Sequence, residues 1–259
     1  MESIIQLFKN SYTITDIAKI HNKSRSYIRN YLKINNCYEY RKYKSRKYNF
    51  NENYFSKIDT EEKAYWLGFI AADGYIESNY RRLVISLQEK DKIHLEKLKN
   101  HIKSNFDLKY IIQKNKFNKN NTLTKEFYYR YNLELCSVIL CNDLKKIGIF
   151  NNKSLILKFP NLSNKLIHHF IRGYVDGDGS WSFTKNQCIF RVTSSLNFCI
   201  KLQNIFIKRC NVKKTKLLNE GNAKTITYCG NKQCKRIRNF IYKDATIFLD
   251  RKRIKAFSF

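Results

Sequence analysis

The chain has 259 residues, 43% hydrophobic and 15% aromatic, enough apolar material for a real core, which excludes global disorder. Fifty Lys and Arg against 21 Asp and Glu give a formal charge of +29, a self-repulsion that a polyanion relieves, so nucleic acid is the first partner to consider. Neither a run of ~20 apolar residues, a basic amphipathic helix nor a lipidation motif points to a membrane, and the first residues resemble neither a signal peptide nor an Arg-rich presequence.

Ile14 to about Asn35 predicts a helix-turn-helix. Thr15 to His21 forms a short helix with Ile17 and Ile20 inward, Asn22-Lys23 supplies the turn, and Ser24 caps a second helix carrying Tyr27, Ile28, Tyr31 and Leu32. The other side of that helix shows Arg25, Ser26, Arg29, Asn30 and Lys33, residue types that read base edges and phosphates. A small helical bundle with no DNA role has the same pattern. From Cys37 to Asn53 no period would bury a face. Arg41, Lys42, Lys44, Arg46 and Lys47, interleaved with Tyr43 and Tyr48, suit either a segment lying along a DNA backbone or a solvated tether.

Asp59-Thr60-Glu61-Glu62 opens the next helix, with Asp59 and Glu62 at capping-box spacing. That helix ends in Trp66-Leu67-Gly68-Phe69-Ile70-Ala71-Ala72-Asp73-Gly74, a nonamer that recurs as Ile171-Arg172-Gly173-Tyr174-Val175-Asp176-Gly177-Asp178-Gly179. Five of the eight glycines fall inside the two copies. Gly68 and Ala72, then Gly173 and Gly177, lie four apart on one helical face, so two such helices can pack stripe to stripe, with Arg172 off that face. Asp73 and Asp178 follow, each before a glycine suited to a left-handed helix stop. An acid in the last turn faces the negative end of the helix dipole, at a cost of about 0.3–1 kcal/mol. Accepting that cost twice implies two carboxylates held together at the base of a helix pair. Paired acids in a strongly basic protein point to Mg²⁺ and phosphodiester chemistry.

Downstream the pattern gives a hairpin (about Tyr75–Glu77 and Arg82–Gln88), a helix from Lys90 to Ile102 with Leu95, Leu98 and Ile102 inward, strands near Leu108–Gln113 and Phe127–Leu135, and a helix from Ser137 to Ile147 stopped by Gly148. After the second nonamer the order repeats: strands near Ser180–Thr184 and Ile189–Ser194, a helix from Leu196 to Lys208, strands near Lys216–Leu218 and Thr225–Cys229, and a helix from Gln233 to about Asp244. The acids are 105 residues apart (178 − 73), and Val84 aligns with Arg191 at 107 (191 − 84), so the halves keep register. This is an internal duplication of an αββαββα unit in an α+β fold.

Strand alternation groups Arg82, Val84, Ser86 and Gln88 against Leu83, Ile85 and Leu87, and Tyr128, Arg130, Asn132 and Glu134 against Tyr129, Tyr131, Leu133 and Leu135. With Tyr75 beside them, and Ser180, Ser182, Thr184, Arg191, Thr193, Thr225 and Thr227 in the second half, these polar faces would make two concave sheets against neighbouring stretches of the major groove. A sheet with one wet face alternates in the same way. Of eight cysteines, Cys136 and Cys141 read as core, and Cys229 and Cys234 alone have metal-clip spacing with no second pair nearby. Reduced thiols in a reducing intracellular compartment are expected.

The two nonamers resemble the paired motifs of the LAGLIDADG homing endonucleases, in the single-chain form that carries both copies. Phe170 to Ser180 is a close match; the first copy has Ala71 where an acid is common but keeps Asp73, and the resemblance runs from about Thr60 to the C-terminus. It implies a pseudo-twofold fold with two DNA-binding antiparallel sheets. The organisation is then a helix-turn-helix domain at 1–40, a basic linker at 41–58, and halves at 59–152 and 153–259. It further implies a monomer that acts on double-stranded DNA as an internal pseudo-dimer. Asp73 and Asp178, with the carbonyls of Ala72 and Gly177, would hold two or more Mg²⁺ ions, and Lys153 and Lys252 would lie near the scissile phosphates. The product would be a staggered double-strand break that promotes homing of a mobile element. The same fold serves intron maturases, whose partner is RNA, and a sporulation regulator family with a helix-turn-helix. Two intact acids argue against the regulator, and the helix-turn-helix keeps it open. An intein is disfavoured, since Met1 stands where the nucleophile is required and Ala256-Phe257-Ser258-Phe259 lacks a His-Asn ending.

Overall fold

The computed structural model describes residues 3–10, 12–38, 48–114, 127–184 and 187–258. Arg41, Lys42, Lys44, Arg46 and Lys47 lie outside them. The chain divides into two compact units, Met1–Asn49 and Phe50–Phe259.

In the first unit, helices α1 (Ile4–Lys9), α2 (Ile14–Ile20) and α3 (Arg25–Ile34) start at Ser3, Thr13 and Ser24, whose hydroxyls accept first-turn amides. Thr13 and Asp16 form a full capping box, and Asn22 takes the left-handed conformation (φ 47°) that the turn requires. Leu7, Phe8, Ile17, Ala18, Ile28 and Leu32 make a core of their own. The helix α1 was not expected. Ile20, expected inward, is 45% exposed, because Ala18 beside Ile17 completes the buried face and Ile20 lies ~200° further round. Tyr27 is also exposed, and it stacks on Tyr31.

The second unit runs α4 (Glu61–Asp73), β1 (Gly74–Ile76), β2 (Arg82–Gln88), α5 (Lys92–His101), β3 (Lys109–Lys114), β4 (Phe127–Cys136) and α6 (Val138–Ile147). The repeat follows as α7 (Ile167–Asp178), β5 (Gly179–Thr184), β6 (Gln187–Ser194), α8 (Leu196–Cys210), β7 (Leu218–Glu220), β8 (Ala223–Cys229) and α9 (Asn231–Ile241), and α10 (Asp250–Phe257) closes it. Two four-stranded antiparallel sheets have equivalent orders, β1-β2-β4-β3 and β5-β6-β8-β7. Gly74 pairs with Ile85 and Gly179 with Val192, so the duplication extends to register. One continuous core holds both sheets' apolar faces against α4 and α7, with Leu83, Ile85, Leu133 and Leu135 from the first sheet and Phe190, Val192, Ile226 and Tyr228 from the second.

Four local expectations fail for physical reasons. Thr60 alone caps α4, accepting from the Lys63 amide, while Asp59 turns to the Lys63 ammonium at 2.9 Å. Gly74 and Gly179 are extended (φ −76° and −80°), not left-handed, because the chain passes straight from helix to strand. Glycine is needed there for space, since a Cβ would lie 2.7 Å from Ile70 Cγ2 or Val175 Cγ1. Cys136 is exposed at the end of β4 opposite Arg82, while Cys141 is buried. β7 begins at Leu218 rather than Lys216.

Candidate active site

The site begins with the contact between α4 and α7. A Cβ on Gly68 would lie 2.9 Å from both the Phe170 carbonyl carbon and the Tyr174 nitrogen, and one on Gly173 would lie 2.8 Å from the Tyr65 carbonyl carbon and 2.9 Å from the Phe69 nitrogen. Backbone therefore rests on backbone, reciprocally. At the lower end Ala72 packs on Gly177, and the Asp73 carboxylate reaches to 3.1 Å from where a Gly177 Cβ would be. The small-residue faces meet as their spacing requires. Arg172 does not behave as a neutral neighbour of that face: its guanidinium is fully buried and donates to Glu61 at 2.6 Å.

Asp73 and Asp178 end the two helices side by side, solvent-facing yet crowded by protein. Desolvation raises the Asp73 carboxyl to about 6, and the negative charge of Asp178 adds to the rise. Asp178 is raised by desolvation too, with Lys153 the strongest opposing charge. Each acid is followed by a glycine whose carbonyl accepts a lysine. Lys153, on the short turn after α6, donates to the Gly74 carbonyl, and Lys252, on α10, donates to that of Gly179. Burial lowers both ammoniums, and the carboxylates oppose that shift. The centre is thus two acids and two lysines in twofold arrangement.

Among the described residues, no three His, Cys, Asp or Glu side chains cluster as a metal cage. A divalent ion held here would use Asp73 and Asp178, with carbonyls from the last helical turn, such as those of Ala72 and Gly177, and water. That sparse donor set suits Mg²⁺, which keeps several waters.

The polar sheet faces lie next to this centre in chain order. On the first, Tyr75 is exposed, and Ser86, Asn132 and Lys109 form one row, with Gln88, Arg130 and Ile111 in the next. Ile111 and Gln113, missed in the sequence, share that face; the six-residue strand they occupy has too short an alternation to find them. Arg82 is held by Glu77 and Glu134, and an Arg130 amino group donates to the Ser86 carbonyl. On the second sheet Ser180, Arg191 and Thr227 form one row, Ser182 and Thr184 continue along β5, and Thr193 pairs with Thr225. Thr225 is a correction. It is 5% exposed, paired with Leu218 of β7, and its hydroxyl is engaged with Thr193 and Glu220. In the separate N-terminal unit Arg25, Ser26, Arg29, Asn30 and Lys33 are all exposed along α3.

Residues 60–150, which hold α4 and the whole first sheet, match the family described as a LAGLIDADG-like domain. The chain carries a LAGLIDADG-like domain. Its two four-stranded sheets, each following a motif helix of one packed pair, are the duplicated α+β architecture of the LAGLIDADG homing endonuclease fold. Similar solved structures include the LAGLIDADG meganuclease I-AabMI bound to uncleaved DNA (14% identity, 74% of this chain and 86% of that one, TM-score 0.44). I-SmaMI bound to uncleaveable DNA is another (14%, 76% and 88%, 0.44). A third is full-length DUF199/WhiA from Thermatoga maritima (15%, 80% and 63%, 0.48). No curated protein matches the chain. The family match ends before the second motif, and the second half repeats the strand order and register of the first.

Proposed function

We propose that the protein is a site-specific DNA endonuclease that cuts both strands of a long site by metal-dependent hydrolysis. One observation carries the reading: two carboxylates end helices packed backbone to backbone, and the carbonyl of the glycine after each accepts a lysine. Two crowded acids that repel one another fit a divalent cation, which would neutralise them; Mg²⁺ bound here would supply an activated water and charge stabilisation at the leaving oxygen. Asp73 and Asp178 would hold the ion. Lys153 and Lys252 place positive charge where the phosphate gathers negative charge. The exposed polar rows of the two sheets would lie along the major groove of double-stranded DNA, and the net charge of +29 supports such a polyanionic partner.

A second reading, a DNA-binding regulator, is favoured by the separate N-terminal unit with its cationic α3 face. Incubation with a randomised duplex library and Mg²⁺, then sequencing of both bound and cut molecules, separates the two. Ends clustered at one motif support the endonuclease. A bound motif with no cut ends refutes it in favour of the regulator.

A further inference from the structure

Among the described residues, the first half reaches into the segment that precedes Lys252. Between α9 and Lys252 the chain passes through residues 246–251, and successive groups along it are claimed. Glu61 accepts from the Thr246 amide at 2.8 Å, the Thr246 hydroxyl at 3.0 Å and the Ile247 amide at 3.3 Å. Arg172 donates to the Ile247 carbonyl at 2.8 Å. Asp176 accepts from the Leu249 amide at 2.7 Å. Lys97 donates to Asp250 at 3.3 Å, and Asp91 holds Arg251 through two nitrogens at 2.9 Å. Glu61, Asp91 and Lys97 all belong to the first half. Asp176 is fully buried and also accepts from Tyr65 of the first half at 2.7 Å, while that hydroxyl meets His94 Nε2 at 2.8 Å. The next residue after this run is Lys252, seated on the Gly179 carbonyl.

The other lysine has a simpler support. Ala71 occupies the position equivalent to Asp176 (71 + 105 = 176), and Lys153 follows a short turn in which the Asn151 side-chain Nδ2 donates to the Ile76 carbonyl at 2.6 Å. Lysine is a flexible, strongly hydrated charge, so its placement depends on the backbone beneath it. We infer that residues 246–251 form a strap, clamped by the first half, and that Asp176 and Asp91 are positioning residues that set Lys252 and thereby tune one of two cleavage centres. Lys252 sits on the carbonyl after Asp178 and Lys153 on the carbonyl after Asp73, so a loosened strap falls unequally on the two centres. The inference rests on the nuclease reading above.

The test pairs Asp176→Asn with Asp91→Asn in the full chain. Asp91→Asn guards against a folding failure, because the Arg251 side chain is 44% exposed and can be solvated when released. Amide exchange by mass spectrometry reports on residues 246–252, and a supercoiled plasmid carrying the selected site reports nicked and linear products. Faster exchange over the strap with about tenfold slower cutting of one strand, seen as accumulated nicked circles, is expected. Asp91→Glu should recover the linear product. Equal slowing of both strands means a general structural role and overturns the inference, as does unchanged exchange in both variants. A wild-type protein that cuts neither strand ends the nuclease reading. Exchange in Asp91→Asn then decides the strap by itself: unchanged protection overturns it, and faster exchange sustains it.

Discussion

Replacing Gly173 with alanine adds a single methyl group, and the structure gives the consequence. The new Cβ would lie 2.8 Å from the Tyr65 carbonyl carbon and 2.9 Å from the Phe69 nitrogen, with the Tyr65 oxygen nearer still. Non-bonded carbons rest at about 3.5–4.0 Å, so α4 and α7 must part by roughly 1 Å. Overpacking of this kind costs about 1–3 kcal/mol. At about 2–4 °C per kcal/mol for a domain of this size, the melting temperature should fall by about 2–12 °C. The same movement displaces Asp73 from Asp178, and a 1 Å misplacement can cost about 100-fold in rate. Single-turnover cleavage under saturating protein should therefore fall much further than a thermal melt implies, and Gly173→Leu should be worse on both. Ile93→Ala, at a residue 64% exposed on α5, controls for handling. A Gly173→Ala protein that melts and cuts like the wild type would show that the helices do not meet backbone to backbone, and the two-helix site would fall with that contact.

Asp73→Asn or Asp178→Asn should abolish double-strand cutting while affinity in a filter-binding titration stays within about tenfold, ~1.4 kcal/mol; a double Asn variant that still cuts would refute the assignment. The Asp73 carboxyl, raised from 3.8 to about 6, makes the native state bind more protons than the unfolded chain between those values, so its contribution to stability falls as pH rises through that window. Urea melts without divalent ions should show Asp73→Asn gaining on the wild type from pH 4 to pH 7, with added Mg²⁺ narrowing the gap; parallel curves would contradict the raised carboxyl. Arg172→Met leaves Glu61 without its buried partner and should destabilise by about 3–5 kcal/mol by calorimetry, with part recovered when Glu61→Gln is added. Removing residues 1–49, which have their own core, should leave 50–259 folded and cutting with a shorter footprint. An unchanged footprint would remove the N-terminal unit from DNA contact.

The helix pair was legible because glycine is scarce and concentrated, so its positions carried information that a glycine-rich chain would have diluted. The sheets were legible from the alternation of Leu83, Ile85 and Leu87, and of Arg191 and Thr193. Lys153 and Lys252 came only from resemblance, since fifty cations offer no local reason to choose two. Alternation put Thr225 on the polar face, but the burial beside β7 and the acceptor on Glu220 are properties of a neighbouring strand. The braces at Glu61, Asp91 and Asp176 were invisible for a related cause. Glu61 meets Thr246 across 185 residues and Asp91 meets Arg251 across 160, and no periodicity within a window of one element records such a pairing.

The backbone contact between α4 and α7 also bears on how such a protein can change. Most distances inside a protein are set by side chains, and drift as side chains are exchanged. Here the gauge is the thickness of two peptide chains, which no substitution can thin and which glycine already leaves at its minimum. The rows on the sheets carry no such constraint: Ser86, Gln88, Arg191 and Thr227 can vary without touching the gauge. A lineage could therefore rewrite what it reads on the sheets generation after generation while the span between its two carboxylates stays the same.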